Sequence, residues 1–237
     1  NNMNYEKWDE ILAPYQHAVE ELKVKFKNIR KEFLTKGEYS PIEFVTGRTK
    51  KISSIISKAN RLDTNDIEGK IDDIAGIRIM CQFVEDIYTI VELIKNRTDM
   101  TVINEKDYIT NFKESGYRSY HLIIKYPINS IAGSKEIHCE IQIRTLAMNF
   151  WATIEHSLKY KYEHYIPENV ALRLRKAADA AFLLDEEMSE IREDIMKAQV
   201  MYQAKSVTLK DVLKKIQELY NLGEISSALK YQRRLDK

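Results

Sequence analysis

The stretch Ile137-His138-Cys139-Glu140-Ile141-Gln142-Ile143-Arg144 alternates apolar and polar residues without a break. Successive side chains of a β-strand point to opposite faces. Ile137, Cys139, Ile141 and Ile143 therefore share one face, and His138, Glu140, Gln142 and Arg144 the other. A polar row on a central strand is costly to bury unless it lines a cleft, so this row marks the expected site. Working outward, His121 to Ile128 reads as the other arm of a hairpin that turns through Ala132-Gly133-Ser134. Ile77 to Phe83 alternates in the same way, Ile42 to Val45 is a short β-like run, and Thr101 to Ile103 starts a further strand. Tyr108 to Tyr120 is polar and aromatic around Gly116 and reads as a loop.

Helical periodicity surrounds these strands. Trp8, Ile11, Leu12, Tyr15, Val19, Leu22, Phe26, Ile29 and Phe33 keep a three-four spacing, which predicts one long amphipathic helix ending near Lys36-Gly37. Shorter helices are expected from Ile52 to Arg61 and from Glu85 to Asn96. Beyond the hairpin the pattern is helical from Leu146 to about Tyr162, Pro167 to about Tyr202, Leu209 to Tyr220 and Glu224 to Leu235. The fold class is therefore α/β, a mixed sheet of about five strands flanked by helices with long helices at both ends. Phe150, Trp151 and the methionines read as core packing. The helices carry more apolar face than one small sheet covers, which points to assembly.

The 237 residues, 44% hydrophobic and 31% charged with a net charge of +1, have the balance of a soluble globular chain and no global field for nucleic acid. Cys81 and Cys139 lie in apolar runs without metal-ligand spacing, so a reducing cytoplasm is the expected compartment. No run approaches the roughly 18 apolar residues of a membrane span, and no signal-peptide pattern opens the chain. Asn1 and Asn2 precede Met3 and are read as additions to the natural start. From Lys205 onward there are eight Lys/Arg and four Asp/Glu, so residues 3–202 are expected to form the main domain and 203–237 a basic helical tail.

Three features could carry chemistry: the cations around Arg48, the carboxylates Asp72 and Asp73 just before a strand, and Glu140 on the polar row. Cations neutralise phosphate oxygens and carboxylates hold magnesium, so together they suggest phosphoryl transfer. Each alone has a plainer reading: Arg48, Lys50 and Lys51 as a solvated cluster, the Asp pair as a cap or loop. There is no GxxxxGK[ST] loop and no kinase glycine-rich loop.

Three segments occur in order: Asp73-Ile74-Ala75-Gly76-Ile77-Arg78, Gly116-Tyr117-Arg118-Ser119-Tyr120-His121 and Glu140-Ile141-Gln142-Ile143-Arg144-Thr145. They resemble the motifs of the alarmone, or (p)ppGpp, synthetases. The flanking Ser40-Pro41-Ile42-Glu43-Phe44-Val45-Thr46-Gly47-Arg48 and Ala147-Met148-Asn149-Phe150-Trp151-Ala152-Thr153-Ile154-Glu155-His156 resemble the stand-alone RelQ-like branch, and the resemblance runs from about Tyr5 to Tyr202. It implies a nucleotidyltransferase-like synthetase domain, a homotetramer, and transfer of the β,γ-diphosphate of ATP to the 3′-hydroxyl of GDP or GTP. The bifunctional relatives hydrolyse the product through a domain marked by a His-Asp pair. Here the five histidines are followed by Ala18, Leu122, Cys139, Ser157 and Tyr165, so synthesis without hydrolysis is expected.

The resemblance also assigns roles. Asp73 matches a magnesium-binding aspartate, and Glu140 the base that takes the 3′-hydroxyl proton and shares the metal. Asp72 has no match and reads as a surface carboxylate. Arg48 and Arg78 match arginines that sandwich adenine, and Lys50, Ser54, Lys58 and Arg61 would hold the ATP phosphates. Tyr117 would stack on the acceptor guanine, with Lys113, His121, Gln142 and Asn149 around its base, ribose or phosphates. Lys23, Lys27 and Arg30 recur at helical spacing; the resemblance places them with Glu43 and Thr46 in a cleft between subunits that binds the (p)ppGpp product and stimulates synthesis. An RNA-binding regulator using the basic tail is the alternative, and salt-sensitive RNA affinity would mark it. A catalytically dead interaction protein would lack a carboxylate, and both Asp73 and Glu140 are present.

Overall fold

The computed structural model describes residues 5–161 and 165–235; the expected domain start at Met3 and helix end at Tyr162 lie outside the described residues. The elements run α1 (Tyr5–Thr35), β1 (Phe44–Thr49), α2 (Ile52–Arg61), α3 (Ile67–Lys70), β2 (Ala75–Cys81), α4 (Val84–Lys95), β3 (Thr101–Asp107), β4 (Tyr120–Ser130), β5 (Gly133–Thr145), α5 (Leu146–Lys161), α6 (Glu168–Asn221) and α7 (Ile225–Leu235). The five strands form one sheet in the order β1-β2-β5-β4-β3. Only β2 and β5 run parallel; the other pairs are antiparallel. The sheet is thus mixed, and β5, which carries the polar row, lies at its centre.

The apolar face of the sheet is the core. Ile77, Ile79, Cys139, Ile141, Ile143, Leu122 and Ile124 are buried against Trp8, Leu12, Tyr15, Val19, Leu22 and Phe26 of α1 and Ile87, Ile90, Val91 and Ile94 of α4. Burying such side chains contributes roughly 1.5–3 kcal/mol each, which fixes the alternation and so aims the polar row away from the helices. Gly47 of β1 lets α1 approach closely. A methyl group there would come within 2.8 Å of Val19 Cγ1 and 3.0 Å of Lys23 Cδ.

Several elements differ from the sequence reading. β1 starts at Phe44 and extends to Thr49, because its ladder to β2 continues through Thr49↔Ala75. β3 runs on to Asp107 through Asn104-Glu105-Lys106: it is the sheet's last strand, so its outer edge needs no apolar alternation. α6 is one helix of 54 residues, where two pieces broken between Tyr202 and Leu209 were expected. Gln203 to Thr208 contains neither Gly nor Pro, so nothing there interrupts the ladder. Trp151 is buried as expected, but Phe150 is 72% exposed, and Met188, Met196 and Met201 are exposed as well, so these four are not core.

The chain divides into two compact units, one up to Glu187 and one from Met188, and the composition boundary drawn at 202/203 falls inside α6. The second unit has a small core of Ile216, Leu219 and Ala228, with Val212 and Tyr231 against it.

In the first unit α6 is tied to the end of β5. Thr145 Oγ1 donates to Asp185 Oδ2 at 2.6 Å and accepts from Met148 N at 3.1 Å, capping α5. Burial pushes the Asp185 carboxyl up to about 6; the Thr145 hydrogen bond opposes the shift, Glu85 adds to it and Arg118 opposes it. A raised folded-state value means that the native state holds a proton that the unfolded chain has lost, so stability falls as pH rises from the ordinary 3.8 towards 6. Asp185→Asn, which mimics the protonated acid, should stabilise the protein by about 1–3 kcal/mol near pH 7.5 and leave it unchanged near pH 4. Urea unfolding at the two pH values checks this.

Candidate functional site

The register of four strands assembles an open cleft on the polar face. Arg48 pairs with Gly76 and Gly76 with Glu140; one step along, Thr46 pairs with Arg78, Arg78 with Gln142 and Gln142 with His121. Thr46, Arg48, Asp73, Gly76, Arg78, Glu140 and Gln142 line the cleft. Gly76 keeps its floor open. A methyl group there would meet only Arg48, at 3.7 Å or more, so the space between Arg48 and Glu140 is unfilled because the residue has no side chain.

Asp73 stands at one end, on the segment that leads into β2. Lys50 Nζ and Lys58 Nζ each bond one of its oxygens at 2.8 Å. Burial raises the carboxyl's pKa, but the two lysine hydrogen bonds outweigh it and hold it below the usual range, so Asp73 is ionised at neutral pH. Ser54, Lys58 and Arg61 lie three and four residues apart on α2, which puts them on one side; Ser54 and Arg61 remain exposed there. Asp72 is more than a surface carboxylate: its Oδ1 lies 2.7 Å from His138 Nδ1, at the far end of the polar row.

Glu140 joins this end to a second cluster. Its Oε1 accepts from Gln142 Nε2 at 2.6 Å, and Gln142 Oε1 accepts from Arg144 Nη2 at 2.8 Å and Arg78 Nε at 3.4 Å. Burial depresses the Arg78 pKa, with the charges of Arg144 and Arg48 adding to that, but a guanidinium stays protonated regardless. Arg144 Nη2 also donates to Tyr117 Oη at 2.6 Å, and Tyr117 Oη lies 2.8 Å from His121 Nε2. Burial, then Arg144, Lys113, Lys106 and Arg78, push His121 down to about 3, so the ring is neutral. A neutral ring donates from one nitrogen only. Tyr117 Oη accepts from Arg144 and shares a hydrogen bond with Nε2, while Nδ1 faces Glu140 Oε2 at 3.8 Å.

The expected acceptor residues thus come together around Arg144, which is 4% exposed and also reaches Asn149 Oδ1 at 3.4 Å and Ser119 Oγ at 3.3 Å. Lys113 Nζ lies over the rings of Tyr108 and Tyr117 at 4.8 and 5.1 Å. Tyr108 packs edge-on to His121 and Tyr117. Arg144 and Tyr108 received no role from the sequence, although Arg144 is the last member of the polar row and so was within reach of the same alternation. Of the expected regulatory residues, Lys23 lies against Gly47 on the α1 face of β1, while Thr46 faces the cleft. Lys27 is exposed on α1, Arg30 is half-buried with its Nε unbonded among the described residues, and Glu43 accepts from Gln82 Nε2 at 2.9 Å.

Among the described residues no group of three or more His, Cys, Asp or Glu side chains forms a ready-made metal cage. Asp73 and Glu140 are two carboxylates on one cleft. That donor set fits a hard divalent cation that completes its shell with phosphate oxygens and water.

Comparison with known proteins agrees with this geometry. Residues 47–165 match the family model described as "Region found in RelA / SpoT proteins". The chain is 55% identical over 205 residues to GTP pyrophosphokinase YjbM of Bacillus subtilis (strain 168), covering 86% of this chain and 97% of that one. The small alarmone synthetase 1 of Bacillus subtilis bound to its product pppGpp superposes with a TM-score of 0.77 at 56% identity, over 80% of this chain and 98% of that one. The same enzyme bound to AMPCPP superposes with a TM-score of 0.72 at 52% identity, over 81% and 98%. The expected five-stranded α/β synthetase fold is the one found, and the RNA-binding alternative gains no support from these relatives. With polar residues of the ordered motifs gathered on one face of that sheet, the chain belongs to the RelA/SpoT-related GTP pyrophosphokinases, as a RelQ-like small alarmone synthetase.

Proposed function

We propose that this chain moves the β,γ-diphosphate of ATP to the 3′-hydroxyl of GDP or GTP, releasing AMP and forming ppGpp or pppGpp. The observation that carries the reading is the placement of Glu140 between two clusters on one cleft: a cationic one around Asp73, and an aromatic one around Tyr117 and His121. The relatives hold pppGpp and AMPCPP, and the reading carries those two classes of nucleotide to this chain.

Arg48 and Arg78 project into the cleft from adjacent strands, and their planar guanidiniums suit the two faces of adenine. Lys50, Ser54, Lys58 and Arg61 take the triphosphate. Its oxygens compete with Asp73 for the two ammonium groups, and drawing the lysines away frees the carboxylate for a cation. Asp73 and Glu140 would hold a magnesium ion, which would supply charge neutralisation at the transferring phosphates. The guanine stacks on Tyr117, with Lys113, His121, Gln142 and Asn149 about it. The acceptor 3′-oxygen loses its proton to Glu140 and bonds to the β-phosphorus. The bond from that phosphorus to the α,β-bridging oxygen breaks, and AMP leaves.

Assembly and regulation extend the same reading. Exposed Phe150, Ile154, Leu172, Leu183 and Leu184 supply apolar surface for the homotetramer. Lys23, Lys27, Arg30, Glu43 and Thr46 form the product-binding allosteric site, through which (p)ppGpp acts on the segment carrying Arg48. Buried free cysteines, and the finding that no described helix is long and apolar enough to cross a membrane, accord with a cytoplasmic protein.

Glu140→Gln keeps the carboxamide shape but takes no proton, so turnover should fall by roughly 10²–10⁴ with ATP-analogue affinity retained. Near wild-type rates in a nucleotide-separation assay would remove the base from Glu140. Arg144→Lys loses the fork that holds Tyr117, Gln142 and Asn149, and kcat/KM for GDP should drop by roughly 10- to 100-fold, as expected for losing charged hydrogen bonds of about 1.5–3 kcal/mol. Steady-state kinetics with each substrate varied in turn checks it. Added pppGpp should raise initial rates for the wild type, by coupling of about 1–3 kcal/mol, and not for Lys27→Ala with Arg30→Ala. Equal stimulation of both proteins, or none of either, would remove the allosteric site.

A further inference from the structure

Arg118 is a buried cation that none of the chemistry above uses. Its side chain is 6% exposed; its ion pair with Asp179, which is half-exposed, is 3.5 Å long, and the buried Asp185 carboxyl feels its charge only as a minor influence. A cation so weakly paired costs free energy to bury, and an apolar side chain would fill the place at lower cost. Its contacts show what it does instead. The guanidinium lies between the rings of Phe112 and Phe182, at 4.3 and 4.6 Å. Its Nη1 donates to the carbonyls of Gly116, at 3.4 Å, and Ala178, at 3.2 Å. Phe112 and Gly116 belong to the loop before β4, and Ala178 and Phe182 belong to α6.

The same loop meets α6 at two further points. Arg175 Nη1 donates to the Glu114 carbonyl at 2.5 Å. Gly116 has φ +93°, and a methyl group on it would stand 2.5 Å from Ala178 Cβ, so the loop backbone lies directly on the helix. Tyr117, between these anchors, packs against the cluster of Trp151, Ala152 and Ala178. Its ring is therefore backed by α5 and α6 together, whereas Arg48, Lys58 and Arg78 are carried by β1, α2 and β2.

We propose that Arg118 is a positioning residue for the acceptor nucleotide: it pins the loop of residues 112–118 to α6 and so holds the Tyr117 ring where the guanine stacks. The inference rests on the reading of Tyr117 as the acceptor platform. Lysine keeps the charge but lacks the planar fork that stacks between two rings while bonding two carbonyls, so the conservative change is informative.

The test is steady-state kinetics of Arg118→Lys and Arg118→Met, with Tyr117→Ala as reference, varying GDP and ATP separately and recording thermal melts. Both Arg118 variants should raise KM for GDP roughly tenfold while KM for ATP and kcat stay within about twofold. A merely structural role would lower kcat through a smaller active fraction and leave both KM values alone; that result, or an equal rise in both KM values, overturns the proposal. If the Arg118 variants do not fold, Gly116→Ala, which pushes the loop off Ala178, carries the same test: it should give the same GDP-selective loss, and an unchanged KM for GDP overturns the proposal. A GDP-selective Tyr117→Ala beside unaffected Arg118 variants sinks the positioning role alone, whereas a Tyr117→Ala that is not GDP-selective sinks the acceptor reading itself.

Discussion

The parallel pairing of β2 with β5 is the constraint on which the site depends. It sets Gly76 beside Glu140 and Arg78 beside Gln142, and the antiparallel neighbours extend the row to Thr46 on one side and His121 on the other. Because side chains alternate, a slip of one residue in β5 would send Glu140 and Gln142 into the core and Ile141 into the cleft. The apolar face prevents that slip: Cys139, Ile141 and Ile143 are fully buried beneath α1 and α4, so the energy of the core fixes the register of the chemistry.

The polar face is costly to build and is satisfied internally. The groups beside Glu140 bond one another, from Arg144 through Tyr117 and His121 on one path and through Gln142 on the other. Networks of this kind hold geometry because every member left unpaired would be penalised. The cations that surround His121 keep it neutral, which suits a group that orients a substrate and a nearby carboxylate rather than one that competes for their protons. At the opposite end, Asp73 keeps its charge because two lysines neutralise it, and in the proposed function those lysines are the groups that a triphosphate recruits.

Much of this was legible in the sequence, and the exceptions have physical reasons. Strict alternation from Ile137 to Arg144 exposed the central strand because one of its faces is wholly apolar. The outer half of β3 was invisible because an edge strand has no such face, and the continuity of α6 was missed because loss of amphipathic period was read as a break. Glu140, Asp73 and the residues proposed for the acceptor were singled out through ordered motifs. The pairing of Asp72 with His138 was not, since its members are 66 residues apart and neither belongs to a helical or strand repeat with the other. Arg118 received no role of its own from the sequence, and only its position between Phe112 and Phe182 shows that it is buried.

The central claim is that the cleft moves a diphosphate as one unit onto a ribose oxygen. Real-time ³¹P NMR of the protein with ATP, GDP and magnesium tests it directly. The account requires AMP and a 3′-diphosphorylated guanosine nucleotide to rise together in equal amounts. Accumulation of ADP or free phosphate in their place, or no change in the nucleotides, would contradict it.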